Sequence, residues 1–314
     1  MSLLIFVSQC IMQMNYKVHY PYISFTINQI ISIDDFFESF HLSKKTIHLL
    51  KQNKDYTLNK KYVSSSSIMV KGDVLCVKAF EPDDNMYTPV FEDIDIVYED
   101  DFLLVVNKPA FINVYPDDKK KTDSLSHRVS GYYKTIGLDI PVRYIHRLDY
   151  ETSGMVVFCK CSLILPLLDY QLSIKDIQRH YLAIVDGKIT DKKPHIIDKP
   201  IGKDRHHNQR MRVAQGGKDA KTQYISKGHK NNLSLIECQL YSGRKHQIRV
   251  HMSYLGYPLL GDKLYGRESS LINRQALHAY RLQFVHPITK EKMTLTCHPP
   301  YDMQKLIQSI NPTL

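Results

Sequence analysis

The chain has 314 residues, 43% of them hydrophobic, which supports roughly two domains with real cores and excludes a disordered polymer. Lys and Arg number 42 against 32 acids, a formal charge of +10 that favours polyanionic partners, chiefly nucleic acid. No stretch approaches the ~20 apolar residues of a membrane span.

The six cysteines, Cys10, Cys76, Cys159, Cys161, Cys238 and Cys297, are scattered, and Cys159-Lys160-Cys161 lacks the spacing of a zinc site. They are expected to be reduced and structural, with no metal, in a cytoplasmic protein. Residues 1–14 are expected to be an unstructured leader. Leu3–Val7 only faintly resembles a secretion signal, and Met14 is a plausible true start.

Residues 15–28 alternate Tyr, Val, Ile and Phe with polar residues, which predicts an edge strand. Ser32 with Asp35 predicts a helix start ahead of Phe36, Phe37 and Phe40. Ser43 caps a second, basic helix carrying Lys44, Lys45 and Lys51, with Ile47 and Leu50 as its apolar face. A short strand and turn at Tyr56–Val63 and a Gly-Asp turn into a strand at 71–77 follow. This order resembles the small RNA-binding domain of ribosomal small-subunit protein four, with Asn53-Lys54-Asp55 and Asn59-Lys60 replacing its usual glycines. The resemblance implies RNA contact through Lys44 and Lys45. Residues 15–82 are therefore expected to form a divergent RNA-binding domain. Residues 83–92, acidic and aperiodic, are expected to link it to a catalytic domain over 93–314.

The second domain opens as a strand, an acidic turn and a strand that ends at Lys108-Pro109. Helices are predicted near 124–133 and 163–175, and a strand over 176–187. Between them lies the densest polar motif, residues 143–154, which includes His146, Arg147, Asp149 and Gly154 and feeds the apolar run Met155–Phe158. A charged turn running into a core strand is rigidly held, which suits a catalytic group. Residues 198–221 carry Lys199, Lys203, Arg205, Arg210, Arg212, Lys218 and Lys221 with almost no apolar periodicity. They predict a basic arm that projects from the body and contacts RNA. A glycine turn at Gly243 then leads into a helix crowded by Arg244, Lys245, His246, Arg249 and His251, and two strands flank residues 286–289.

His146-Arg147-Leu148-Asp149 with Thr152-Ser153-Gly154, Tyr181 in a strand after a cation, Gly243 through His251, and Gly261 through Gly266 together resemble the RluA-type RNA pseudouridine synthases. Arg179 and Lys245 stand where that family often has lysine and threonine. The resemblance implies an α+β fold: a mixed, largely antiparallel catalytic sheet flanked by helices and loops, plus a small α+β N-terminal domain. It implies isomerisation of uridine in ribosomal RNA or tRNA, with no cofactor and no obligatory protein partner. Asp149 would be the catalytic carboxylate, Arg249 its partner and Tyr181 the face on which uracil stacks. Arg147 and His146 would hold phosphate or the displaced strand, and Lys203, Arg205, Arg210 and Arg212 would grip RNA.

The bare residues agree with that chemistry. A carboxylate beside a fixed cation is ionised and oriented. An aromatic face binds a base that must turn over while bound, and such a base has to leave its stack first. Two rival classes are a non-catalytic RNA-binding protein with the same fold and a metal-dependent nuclease. The second predicts clustered carboxylates, whereas Asp149 is surrounded by cations in sequence and has only Glu151 near it.

Overall fold

In the computed structural model, residues 15–118 and 123–311 are described, so the expected leader at 1–14 lies outside them. The N-terminal unit begins as a hairpin of β1 (Asn15–His19) and β2 (Tyr22–Thr26). The single edge strand expected over 15–28 is thus two strands, because the chain reverses at Tyr20-Pro21, and of these two β1 lies at an edge of the sheet while β2 is interior. After β3 (Ile31–Ser32) come α1 (Ile33–Ser39) and α2 (Lys44–Gln52). Ser32 and Ser43 cap them, accepting from the amides of Asp35 and Thr46. Phe36, Phe37 and Phe40 are buried against Phe25 and Tyr56. Strands β4 (Tyr56–Leu58), β5 (Ile68–Met69) and β6 (Val74–Lys78) complete the unit, with sheet order β1-β2-β6-β4. Asn59 and Lys60 both take positive φ, which closes a tight turn where glycine is usual.

Residues 79–95 contain neither helix nor strand, yet they do not hang free. Tyr87 is buried, and the Val90 amide donates to the His127 carbonyl. An added Cβ at Gly131 would lie 2.1 Å from the Val90 carbonyl oxygen, so the segment runs hard against the helix that carries Gly131.

The second unit is built on a ten-stranded sheet. Its first elements are β7 (Ile96–Glu99), β8 (Leu103–Lys108), α3 (Leu125–Thr135), β9 (Arg143–Tyr144), β10 (Ser153–Cys159), α4 (Leu165–Ser173) and β11 (Gln178–Asp186). Then come β12 (His195–Asp198), β13 (Ile201–Lys203), β14 (Met211–Val213), β15 (Lys221–Lys230), β16 (Leu233–Leu240) and α5 (Gln247–Tyr254). The unit ends with β17 (Leu277–Val285), β18 (Lys292–Thr296) and α6 (Tyr301–Ile310). The sheet path is β12-β15-β16-β11-β17-β10-β8-β7, with β18 on β17 and β9 on β10. Among the described residues only β10 and β17 pair in parallel, so the sheet is mixed and largely antiparallel, as expected.

All seven residues of β10 are buried, which is why they read as an unbroken apolar run. Each fully buried Val, Met or Phe contributes about 1.5–3 kcal/mol, enough to pin the loop that precedes the strand. Gly154, at φ +117°, lies where an added Cβ would be 2.3 Å from the Ala279 carbonyl oxygen. Tyr181 pairs with the same Ala279 from the other side. The loop before β10 and the ring on β11 are thereby set roughly two strand spacings apart, about 10 Å.

The basic segment does not project as an irregular arm. It folds as the hairpin β13–β14 and packs on α5. Ile201, Met211, Val213 and Ala220 pack with Val250, Leu264 and Tyr265, while Lys203, Arg205 and Arg212 face outward. The outward cations hid the short apolar alternation within the segment.

The two units share one continuous core. Tyr16 meets Phe102 edge to face at 5.2 Å, His41 stacks on Tyr170 at 3.8 Å, and the Ser162 amide donates to the Ala79 carbonyl.

Candidate active site

Asp149 sits in the loop between β9 and β10, and that loop is fastened by its backbone oxygens. The Asp149 carbonyl accepts from the Thr152 amide at 3.0 Å. The Tyr150 carbonyl accepts from the Phe111 amide and from Lys108 Nζ, and the Glu151 carbonyl accepts from Arg274 Nη1 at 3.1 Å. Lys108 and Arg274 are both fully buried. Arg274 also forms a two-toothed pair with Asp302 of α6, so the C-terminal helix helps to hold the loop. Gln275 adds a bond from Nε2 to the Thr152 hydroxyl.

The Asp149 carboxylate meets Arg249 of α5, one hundred residues away in sequence, with Nη1 to Oδ2 at 3.2 Å. Arg249 is in turn clamped by Asp262, with Nε and Nη2 donating at 2.7 and 2.9 Å. Asp262 is fully buried and its Oδ1 also accepts from the amides of Leu264 and Tyr265. Burial works against the charge on Arg249, but the two carboxylates more than offset it and its pKa lies above the ordinary value. The guanidinium also lies over the Tyr265 ring, 5.0 Å from its centre.

His246 starts α5 in the left-handed conformation, with φ 57°, and brings Nε2 to 4.0 Å from Asp149 Oδ2. Burial lowers its pKa to about 4, against the pull of Asp149, so the ring is neutral at pH 7. Its Nδ1 pairs with the Tyr265 hydroxyl at 2.8 Å, and that hydroxyl accepts from the Met211 amide of the basic hairpin. The turn ahead of the helix is locked by Gln247, whose side chain accepts from Ser242 and the Arg244 amide and donates to Thr222 and the Lys221 carbonyl.

These groups border a cavity of about 790 Å³ whose walls include Asp149, Tyr181, Arg179, His146, Arg244 and Lys245. Tyr181 is buried at 4% exposure, and burial raises its hydroxyl pKa despite nearby Arg179. A second cavity, about 640 Å³, adjoins Asp149 beside Arg147, Gln209 and Lys263. Arg147 is exposed, hydrogen-bonds Tyr115 and lies over its ring. Tyr115 itself stacks on Tyr144.

His146 is not placed as a cationic phosphate holder. It is 8% exposed, and burial, reinforced by Arg179, lowers its pKa to about 3, so it lines the cavity as a neutral ring. Arg210 covers the Tyr265 ring at 5.5 Å and is only half free, whereas Lys203, Arg205 and Arg212 are exposed. Lys44 and Lys45 are exposed on α2, while Lys51 pairs with Asp34. Asp262, Tyr265, Arg274 and Lys108 drew no role from the sequence. The Gly261-to-Gly266 motif was the signal for the first two. Among the described residues no group of three or more His, Cys, Asp or Glu is gathered as a metal site.

Residues 102–254 match the family described as RNA pseudouridylate synthase, and residues 23–75 match the RluD ribosomal pseudouridine synthase N-terminal domain. The chain is 40% identical over 269 residues to the uncharacterized RNA pseudouridine synthase YhcT of Bacillus subtilis, a match spanning 85% of this chain and 89% of that one. The chain belongs to the RNA pseudouridine synthase family. It is similar as well to ribosomal large subunit pseudouridine synthase D of Vibrio cholerae, at 33% identity over 81% of this chain and 84% of the other. Among solved structures, human RNA pseudouridylate synthase domain containing 1 aligns with a TM-score of 0.57 and 25% identity, over 68% of this chain and 86% of that one. As a pseudouridine synthase the protein is an isomerase whose substrates are RNA. Its N-terminal unit is of the RluD type. No helix among the described residues is long and apolar enough to cross a membrane.

Proposed function

We propose that the protein converts uridine to pseudouridine in large-subunit ribosomal RNA, with Asp149 as the catalytic carboxylate. The observation that carries this reading is the Asp149–Arg249 contact of 3.2 Å on the wall of a cavity that Tyr181 also lines. The RNA is suggested by the RluD-type N-terminal domain and by relatives named for the large ribosomal subunit. Transfer RNA is the alternative that the test below separates.

The reaction breaks the bond between N1 of uracil and C1′ of ribose and makes one between C5 and C1′. The C5 proton leaves and N1 regains one, so the product is an isomer. The uridine has to be extruded from its stack into the cavity. Asp149, fixed by Arg249, presents Oδ2 either to C1′ as a nucleophile or to a ribose proton as a base. Tyr181 supports the uracil by stacking, which tolerates rotation of the base. Arg147 meets the strand beside the extruded nucleotide. Lys203, Arg205 and Arg212 with Lys44 and Lys45 bind phosphates.

Tritium release from RNA labelled at C5 of uridine is the test. Large-subunit ribosomal RNA is expected to release tritium with the wild type and none with Asp149→Ala. Release from transfer RNA alone would move the substrate to that class. No release from either RNA would leave a non-catalytic RNA-binding protein.

A further inference from the structure

Two of the groups lining the main cavity are buried with polar atoms left unpaired. Arg179 is 9% and His146 is 8% exposed. Among the described residues, Nε of Arg179 and both ring nitrogens of His146 have no hydrogen-bond partner. No carboxylate among those residues pairs with this guanidinium, in contrast to buried Arg249, which holds two, and buried Arg274, which holds one. A buried cation without a counter-ion is a costly thing to keep. The backbone makes room for it: a Cβ at Gly243 would stand 3.0 Å from Arg179 Nη1. Arg179 is two residues before Tyr181 on β11, so both side chains leave the same face of the sheet.

We propose that Arg179 reads the uracil ring, donating from its guanidinium to the O4 carbonyl of the extruded base. This rests on the synthase reading of the same cavity. Arg244 and Lys245 on the wall of the same cavity are exposed, open to solvent and to a phosphate backbone, whereas Arg179 is buried. A deep guanidinium, carrying donors only, matches a ring edge rich in carbonyl acceptors. When the N1–C1′ bond breaks, its electron pair passes to the ring and spreads onto the carbonyl oxygens. Arg179 stabilises that charge without giving up a proton, and N1 is protonated from solvent after C5 has bonded to C1′ and lost its proton. Neutral His146 supplies one donor and one acceptor to the same edge. Cytosine carries an amino group in place of one carbonyl, and two donors would then face each other, so the arrangement selects uracil.

Arg179→Met and Arg179→Lys test this in the full chain, with single-turnover tritium release and filter binding on C5-labelled large-subunit ribosomal RNA. Arg179→Met is expected to keep RNA affinity within about threefold and to lose at least about a hundredfold in rate, with partial recovery in Arg179→Lys. It should also melt at a higher temperature than the wild type, since a buried unpaired charge is gone. A rate within about threefold of wild type, or a loss of RNA affinity with the saturated rate intact, overturns the proposal. If the wild type itself releases no tritium, the synthase reading has failed, and a second arm decides Arg179 without turnover. There, uridine 5′-monophosphate should raise the melting temperature of wild type more than cytidine 5′-monophosphate, and Arg179→Met should abolish the difference. Equal responses in wild type overturn the assignment.

Discussion

Arg249 stands between two carboxylates that use it differently. Asp262 takes Nε and Nη2 from a fully buried position, and Asp149 receives only Nη1 at the edge of the cavity. The first contact orients the guanidinium and the second uses that orientation. Asp262→Asn keeps the shape and the acceptor for the Leu264 and Tyr265 amides but removes the charge. Breaking one side of a buried pair costs about 3–5 kcal/mol, so the melting temperature should fall by on the order of 10 °C. The single-turnover rate should drop by about a hundredfold or more while RNA binding is retained. Filter binding and tritium release on the same preparation check this, and an unchanged rate would show that Asp149 does not depend on how Arg249 is held. Asp149, Arg249 and Tyr181 were legible because each stands in a compact motif. The clamp by Asp262, the double role of the Tyr265 hydroxyl and the lack of any partner for Arg179 Nε were not. They arise from contacts between segments that the sequence keeps apart.

The elements around the site divide into a fixed frame and a gripping edge. The frame is β10 against β17, whose register depends on Gly154 lying flat on Ala279. Gly154→Ala meets both a left-handed backbone and a carbonyl oxygen, so a loss exceeding about 2 kcal/mol is expected, read as a lowered urea midpoint. The edge is the hairpin β13–β14, whose stem is buried on α5 while Lys203, Arg205 and Arg212 point outward. Replacing these three with Gln should leave the melting temperature unchanged and weaken RNA binding. The slope of log affinity against log salt should shrink by about 0.7–0.9 for each phosphate that the variant no longer neutralises. An unaltered slope would remove the hairpin from the RNA interface. The helices α1 to α5 and the strands near Tyr56–Leu58, Val74–Lys78, Leu103–Lys108 and Gln178–Asp186 were readable from alternation and caps, whereas the strand order and α6 were not. The hairpin was not, because its apolar alternation spans only the three residues of each short strand and is outnumbered by charge.

At the scale of the whole molecule, three neutral imidazoles tie stability to pH. His146, His246 and His278 have pKa values lowered mainly by burial, to about 3, 4 and 4, from an ordinary 6.5. The unfolded chain therefore binds more protons than the folded one between those values and 6.5. The part of folding stability that these rings control is complete above about pH 6.5 and is lost as the pH falls toward the folded values, by at most about 1.4 kcal/mol per pH unit for each ring. Melting temperatures should decline as the pH falls below 6.5, and His278→Gln should flatten the decline. A melting temperature constant down to pH 5 would contradict the burial of these rings in neutral form.

The shared core of the two units also has a history in time. The chain is made from its N-terminus, so Tyr16 and His41 exist before Phe102 and Tyr170, on which they come to rest. At roughly 5–20 residues per second the wait from His41 to Tyr170 is on the order of ten seconds. Through that interval the first unit presents an open aromatic face to its surroundings, which a later stretch of the same molecule comes to cover.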